Sequence, residues 1–245
     1  MSISQRPIAA TNRFDCLAAN TVIARLLPQD CFLCGADAGA TLLCDACRNN
    51  LPLVSPASCP VCALPTPGAN ICGACQKIPP YFDASFCCFR YTFPVDRLIQ
   101  ALKFQHSLAL SIFFADALLA SYSTVIMQND LLLALPLSGT RLRERGFNQA
   151  MEIARPIAKQ LGLPLLAESY GRSIDTAPQS SLPWKERHRN IRGVFECGLE
   201  LTGKSVIVVD DVMTTGSTLN EFARTLKIHG ASRVTNLAVA RAYRE

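Results

Sequence analysis

Apolar residues recur along the chain with two different periods, and the points where the period changes outline the elements. Residues 15–28 set Leu17, Ile23, Leu26 and Leu27 at helical spacing and stop at Pro28, which predicts a short amphipathic helix within an N-terminal segment 1–28. Residues 85–93 read as a strand, and 95–103 and 108–120 as helices. The run 131–137 holds no polar residue, as in a strand buried on both faces of a parallel sheet. Helical periodicity returns over 147–161, a strand follows over 163–167, a polar loop over 171–187, and a short strand near Val194 and Phe195. The strongest strand covers 205–210, ahead of a helix over 217–229 and a strand over 234–240. This alternation predicts an α/β domain with a mainly parallel sheet over residues 82–245, entered through Pro79 and Pro80.

Two stretches bear on membranes. The most apolar long segment, 108–127, carries Asp116 near its middle with Ser111, Ser121, Ser123 and Thr124 around it, so a buried helix and a turn are expected there and no membrane span. Residues 1–20 scatter Arg6 and Arg13 through mixed sequence without an unbroken apolar core, so no signal peptide is expected and the protein is expected to be cytoplasmic.

Between these regions the pattern is set by cysteine. Cys31, Cys34, Cys44 and Cys47 return 28 residues later as Cys59, Cys62, Cys72 and Cys75, an internal duplication of C-x2-C-x9-C-x2-C over a region bounded at 29–78. A C-x-x-C turn presents two thiolates on one knuckle, and two knuckles complete the tetrahedron that Zn²⁺ prefers. Two structural zinc ions are therefore expected. Because a whole quartet is copied, pairing within each quartet is favoured over a cross-braced arrangement. The ribbons either serve only to hold together a segment too short for a hydrophobic core, or also present a contact surface for nucleic acid or protein. Cys16, Cys87, Cys88 and Cys197 fall outside the pattern and read as small buried residues.

The 245 residues are 49% hydrophobic and 18% charged, which excludes wholesale disorder and leaves room for one medium domain plus a small one. The formal charge is +5 and is unevenly placed. Residues 1–140 hold 8 basic and 8 acidic side chains, residues 193–245 hold 6 and 6, and residues 141–192 hold 10 and 5. Eight zinc-bound thiolates and two Zn²⁺ would bring the whole chain to about +1 without touching this local excess. An anionic ligand is thus expected on the α/β domain, with Arg48 and Lys77 as the few basic groups on the ribbons.

The chemistry is most legible over 206–219. An apolar strand meets Asp210 and Asp211, passes a turn of Thr214, Thr215 and Gly216, and opens a helix at Ser217 and Thr218. A helix N-terminus offers unpaired N–H groups and about half a positive charge, so these hydroxyls and the Gly216 backbone can encircle a phosphate monoester. Two carboxylates at a strand end suit the vicinal hydroxyls of a ribose and, through water, Mg²⁺. One element can hold both ends of a ribose 5-phosphate.

This stretch resembles the phosphoribosyl pyrophosphate (PRPP) motif of type I phosphoribosyltransferases. Together with the cysteines, Leu102-Lys103-Phe104, the run from Arg141 to Gln149, and Arg172, Thr176, Gln179, Leu182, Arg187 and Asn190 before Gly193, it is similar to the ComF family over about residues 28–241. The resemblance implies a type I phosphoribosyltransferase-like fold behind a double zinc ribbon. It implies Asp210 and Asp211 as catalytic or ribose-binding groups, residues 214–218 as the 5-phosphate site, and Ser138, Gly139 and Arg141 as a pyrophosphate turn. Arg172, Gln179, Arg187 and Asn190 would belong to a flexible hood over 171–192, in which Trp184 is a base-stacking or anchoring residue. After Phe104 the chain carries Gln105-His106-Ser107 in place of an expected glycine-containing turn, which counts against a ligand role near Lys103. The family implies PRPP, Mg²⁺, single-stranded DNA and a competence helicase as partners in natural transformation. The alternative is a metabolic phosphoribosyltransferase that moves ribose 5-phosphate from PRPP to a base or amine.

Overall fold

A computed structural model describes residues 29–172 and 193–243. The helix expected over 15–28 and the hood residues Gln179, Trp184, Arg187 and Asn190 lie outside them.

The cysteine region repeats its conformation along with its sequence. Bridges pair Asp30 with Asp37 and Ser58 with Pro65, and short helices α1 (Asp45–Asn49) and α2 (Gly73–Lys77) follow the third cysteine of each quartet. Each feature is displaced by the same 28 positions. After the second cysteine of each knuckle pair the backbone enters the left-handed region, at Gly35 (φ 72) and Ala63 (φ 57).

The larger domain is built on five parallel strands, β1 (Ala84–Arg90), β2 (Leu131–Ala134), β3 (Leu165–Leu166), β6 (Ser205–Met213) and β7 (Arg233–Arg241), in the order β1-β7-β6-β2-β3. Strands β4 (Tyr170–Arg172) and β5 (Phe195–Cys197) form a separate antiparallel pair. The centre of the sheet is fully apolar, with Leu132, Leu133 and residues 206–209 buried, as expected of parallel strands covered on both faces.

Helices α3 (Val95–Phe104), α4 (Ala109–Ile126), α5 (Gly139–Arg145), α6 (Gln149–Leu161) and α7 (Ser217–Ile228) connect the strands. Helices α4 and α6 pack together, with α6 against β2 and β6, and α7 packs against β7. Among the described residues α4 alone is long and apolar enough to cross a membrane. It buries Leu110, Phe114, Leu118 and Ile126 in the domain core, and Tyr122 Oη donates to the Cys87 carbonyl of β1 at 2.7 Å. The turn expected after residue 120 is a kink at Tyr122 inside a longer helix.

Strands β2 and β6 depart from the extents that their hydrophobic runs suggest. Strand β2 ends at Ala134 although the apolar run reaches Leu137, because Pro136 has no N–H to donate to a ladder. Strand β6 continues past Asp210 to Met213, since β7 keeps pairing with it as far as Met213 with Arg241.

Strand order creates the crevice. Ala134 of β2 sits opposite Val209 of β6, so the segments leaving these strands start side by side. The chain then turns one way from β2 to β3 and the opposite way from β6 to β7. Such a reversal at the carboxyl edge of a parallel sheet opens a binding crevice.

Candidate functional site

Asp210 and Asp211 lie at the crevice end of β6, and the Asp211 N–H donates to Asp210 Oδ1 at 2.8 Å. Lys103, from the last turn of α3, places Nζ 2.5 Å from Asp211 Oδ2. Burial opposes ionisation of Asp211, but the Lys103 charge and hydrogen bond outweigh it, with Arg145 adding to the effect, and hold this carboxyl below the usual range. Burial and the neighbouring Asp211 charge push Asp210 well above its ordinary value. Within the pair the negative charge therefore favours Asp211 and the proton favours Asp210.

Lys103 is the residue that sequence reasoning set aside. The glycine expected in the following turn is replaced by His106, which itself adopts the left-handed conformation (φ 56). The turn thus keeps its path without glycine and brings Lys103 to the acid pair. Arg145, from the run Arg141 to Gln149 that carries the family resemblance, also adds its charge to the acid pair. Its guanidinium lies 5.3 Å above the Phe104 ring and donates to Gln149 Oε1 at 2.9 Å.

Beyond the acids, the turn at 214–216 leads into α7. Gly216 holds φ 78 at the N-cap, and a Cβ there would come within 2.8 Å of Met213 Cε, so this position needs glycine. Thr215 Oγ1 accepts from the Ser217 N–H at 3.2 Å and lies 2.8 Å from Ser217 Oγ. The predicted phosphate residues Thr214, Thr215, Gly216, Ser217 and Thr218 therefore form one continuous arc at the start of a three-turn helix. On the other side of the crevice Ser138 caps α5, accepting from the Arg141 N–H at 3.4 Å, and Gly139 is the first residue of that helix. Arg141, Arg143 and Arg145 thus lie on a short helix that starts at Gly139.

The stem of the hood segment is anchored nearby. Tyr170 Oη accepts from the Ala134 N–H at 3.1 Å and donates to the Leu166 carbonyl at 3.0 Å. The Phe222 ring of α7 packs 5.7 Å from Tyr170 and 5.0 Å from Phe195, while Glu221 Oε1 accepts from the Gly193 N–H at 2.7 Å. Arg172 lies 5.9 Å over Phe195.

The eight repeated cysteines gather as two groups, each quartet by itself, with all sulfurs of a group within 4.8 Å of one another. A tetrahedron with Zn–S of 2.3 Å spaces its sulfurs about 3.8 Å apart. The Cys34–Cys44 and Cys62–Cys72 sulfurs stand at 3.7 and 3.6 Å, and no disulfide joins them. Both groups fit a structural zinc ion. Burial opposes ionisation at Cys31 and Cys59, yet backbone N–H groups donating to the sulfurs bring these thiols down to about 6 and about 7, so the first knuckle of each quartet readily supplies a thiolate. Outside the quartets, burial pushes Cys87 and Cys88 up to about 12, as suits inert core residues.

Residues 22–76 match the double zinc ribbon domain family, and residues 146–243 the phosphoribosyl transferase domain family. The chain is 33% identical over 161 residues to the DNA utilization protein YhgH of Salmonella typhimurium, covering 64% of this chain and 71% of that one. It is 30% identical over 179 residues to competence protein F of Haemophilus influenzae, covering 68% and 76%. Among solved structures, a purine phosphoribosyltransferase from Pyrococcus horikoshii aligns over 53% of this chain and 83% of that one, at 16% identity and a TM-score of 0.33.

Proposed function

Since the chain belongs to the family of competence protein F and the DNA utilization protein YhgH, a double zinc ribbon joined to a phosphoribosyltransferase domain, we propose that it binds Mg²⁺–PRPP and single-stranded DNA and acts in DNA uptake during natural transformation. The observation that carries PRPP binding is the crevice between β2 and β6, where an acid pair and a hydroxyl-lined helix N-terminus occupy consecutive positions.

In this reading the 5-phosphate takes the arc of Thr214, Thr215, Gly216, Ser217 and Thr218, where the positive end of α7 and its N–H groups favour a dianion. Asp210 and Asp211 take the two ribose hydroxyls, with the negative charge favouring Asp211. Lys103 keeps Asp211 charged and aimed at the crevice. The pyrophosphate lies along Ser138, Gly139 and Arg141, with Arg145 behind. Mg²⁺, arriving with PRPP, would be held near Asp210 and Asp211 through water and would supply charge neutralisation to the leaving pyrophosphate.

If transfer occurs, pyrophosphate leaves C1 as the acceptor attacks, and the Asp211 carboxylate stabilises positive charge on the ring. The direction toward DNA comes from the relatives' names and from the basic excess over 141–192. A competence helicase as partner rests on the family resemblance alone, and cytoplasmic placement agrees with it.

Pyrophosphate release from PRPP, measured with a panel of bases and amines, with and without single-stranded DNA, tests the reading in wild type and in Asp210→Asn/Asp211→Asn. Salt-sensitive DNA binding that survives the double substitution, with little turnover, is expected. Fast release with one base and no DNA affinity would overturn it in favour of the metabolic transferase.

A further inference from the structure

Arg241, the last residue of β7, is 2% exposed. Its Nε donates to the Cys62 carbonyl at 2.7 Å, and its Nη1 donates to the carbonyls of Met213 and Ala242 at 2.9 Å each and to that of Thr214. Cys62 belongs to the second cysteine quartet, while Met213 and Thr214 lead into the phosphate turn. One guanidinium therefore grips the zinc ribbon and the turn together. Its hydrogen bonds among the described residues all go to neutral carbonyls, and a buried cation needs negative charge close by. Four thiolates around Zn²⁺ carry a net charge of −2, one residue's length from the carbonyl that takes Nε.

We propose that the second zinc–thiolate centre is the counter-ion of Arg241, and that through Arg241 it fixes the backbone of the phosphate turn, so anion binding at residues 214–218 depends on the second quartet and not on the first. Arg241 is in this sense a positioning residue. The first quartet makes no comparable contact: hydrogen bonds of the described residues 29–51 stay within that segment. The ligand half of the inference rests on the PRPP reading above; the coupling between zinc and turn does not.

The duplication supplies a matched pair of variants of the full chain. Cys75→His and Cys47→His change the same position of the two quartets, and each keeps a zinc ligand while lowering the charge of its centre from −2 to −1. Two readouts are taken beside zinc content: amide hydrogen exchange of residues 213–218, which needs no ligand, and PRPP affinity by calorimetry. With two zinc ions retained, Cys75→His is expected to speed exchange in 213–218 and weaken PRPP binding about fivefold, whereas Cys47→His leaves both within about twofold. Arg241→Lys, which keeps the charge but cannot reach four carbonyls, is expected to speed the same exchange. Equal behaviour of the two histidine variants in exchange would overturn the coupling. Wild type that fails to bind PRPP, with exchange still responding to Cys75→His alone, would overturn the PRPP reading and leave the coupling standing.

Discussion

The two zinc ribbons share one sequence pattern and one local conformation but meet different surroundings. The first closes on itself, with Cys31 N–H donating to the Ala36 carbonyl and Phe32 N–H to that of Leu42. The chain from Pro52 through the second ribbon instead runs against β1: Arg90 N–H donates to the Pro52 carbonyl, Val54 N–H to that of Cys88, and Ser85 N–H to that of Pro60. It thereby covers backbone groups of an edge strand that would otherwise stand unpaired. Duplication copied the metal site, and docking gave the second copy a further task. A ribbon's ligands are thus a local property, while its consequences for the larger domain depend on what it touches.

Removing metal from one ribbon at a time should break this symmetry most strongly. Cys59→Ser/Cys62→Ser is expected to cost the larger domain about 3–5 kcal/mol in urea unfolding, because a buried guanidinium loses its counter-charge. Cys31→Ser/Cys34→Ser is expected to shift that transition by under about 1 kcal/mol, since substitutions without shared partners act independently. Similar losses from both would erase the distinction.

Next comes the acid pair, whose substitutions act on the crevice without touching either quartet. Asp211→Asn leaves Lys103 without its partner and is expected to cost about 2–3 kcal/mol, whereas Asp210→Asn removes a carboxyl whose charged form burial and Asp211 oppose and should cost under about 1 kcal/mol. Their pH dependence runs in opposite senses. The lowered Asp211 contributes stability present above its ordinary range and lost as pH falls through its folded value. The raised Asp210 contributes stability present in acid and lost as pH rises through its folded value. Asp210→Asn should therefore flatten the alkaline side of the stability profile, and Asp211→Asn the acid side, which unfolding followed from pH 3 to 9 would show.

The smallest test swaps one residue between the knuckles. Gly35 and Ala63 occupy equivalent left-handed positions, and nothing lies within 4 Å of a Cβ placed at 35. Gly35→Ala is then expected to cost about 1 kcal/mol and Ala63→Gly to gain about 0.5–1 kcal/mol, from backbone conformation alone. Calorimetric unfolding with zinc in excess would measure both.

Local pattern made much of this legible. The central strands, the two quartets and the run from Val206 to Thr218 are contiguous signals, each tied to a period or a spacing. Residues that act across the fold were not visible that way. Lys103 reaches Asp211 over more than a hundred positions, and a missing glycine hid it because His106 takes the conformation that glycine was expected to supply. Arg145 resembles Arg141 and Arg143 in sequence, and only packing on Phe104 separates it. Arg241 sits at the end of a buried strand, where nothing nearby announces that it joins a cysteine knuckle to the turn that opens α7. Sequence periodicity reports neighbours along an element, whereas these contacts are set by strand order.

The central claim is that the arc at the start of α7 receives the 5-phosphate of PRPP. Its most direct test is calorimetric titration of the full chain with Mg²⁺–PRPP, in wild type and in Thr218→Glu. A carboxylate in the first turn suits the helix dipole, so this variant should fold, yet it fills the seat with negative charge. The account predicts one PRPP per wild-type chain and at least about a hundredfold weaker binding in Thr218→Glu, with two zinc ions retained in both. No binding to wild type, or equal binding by the two proteins, would contradict it.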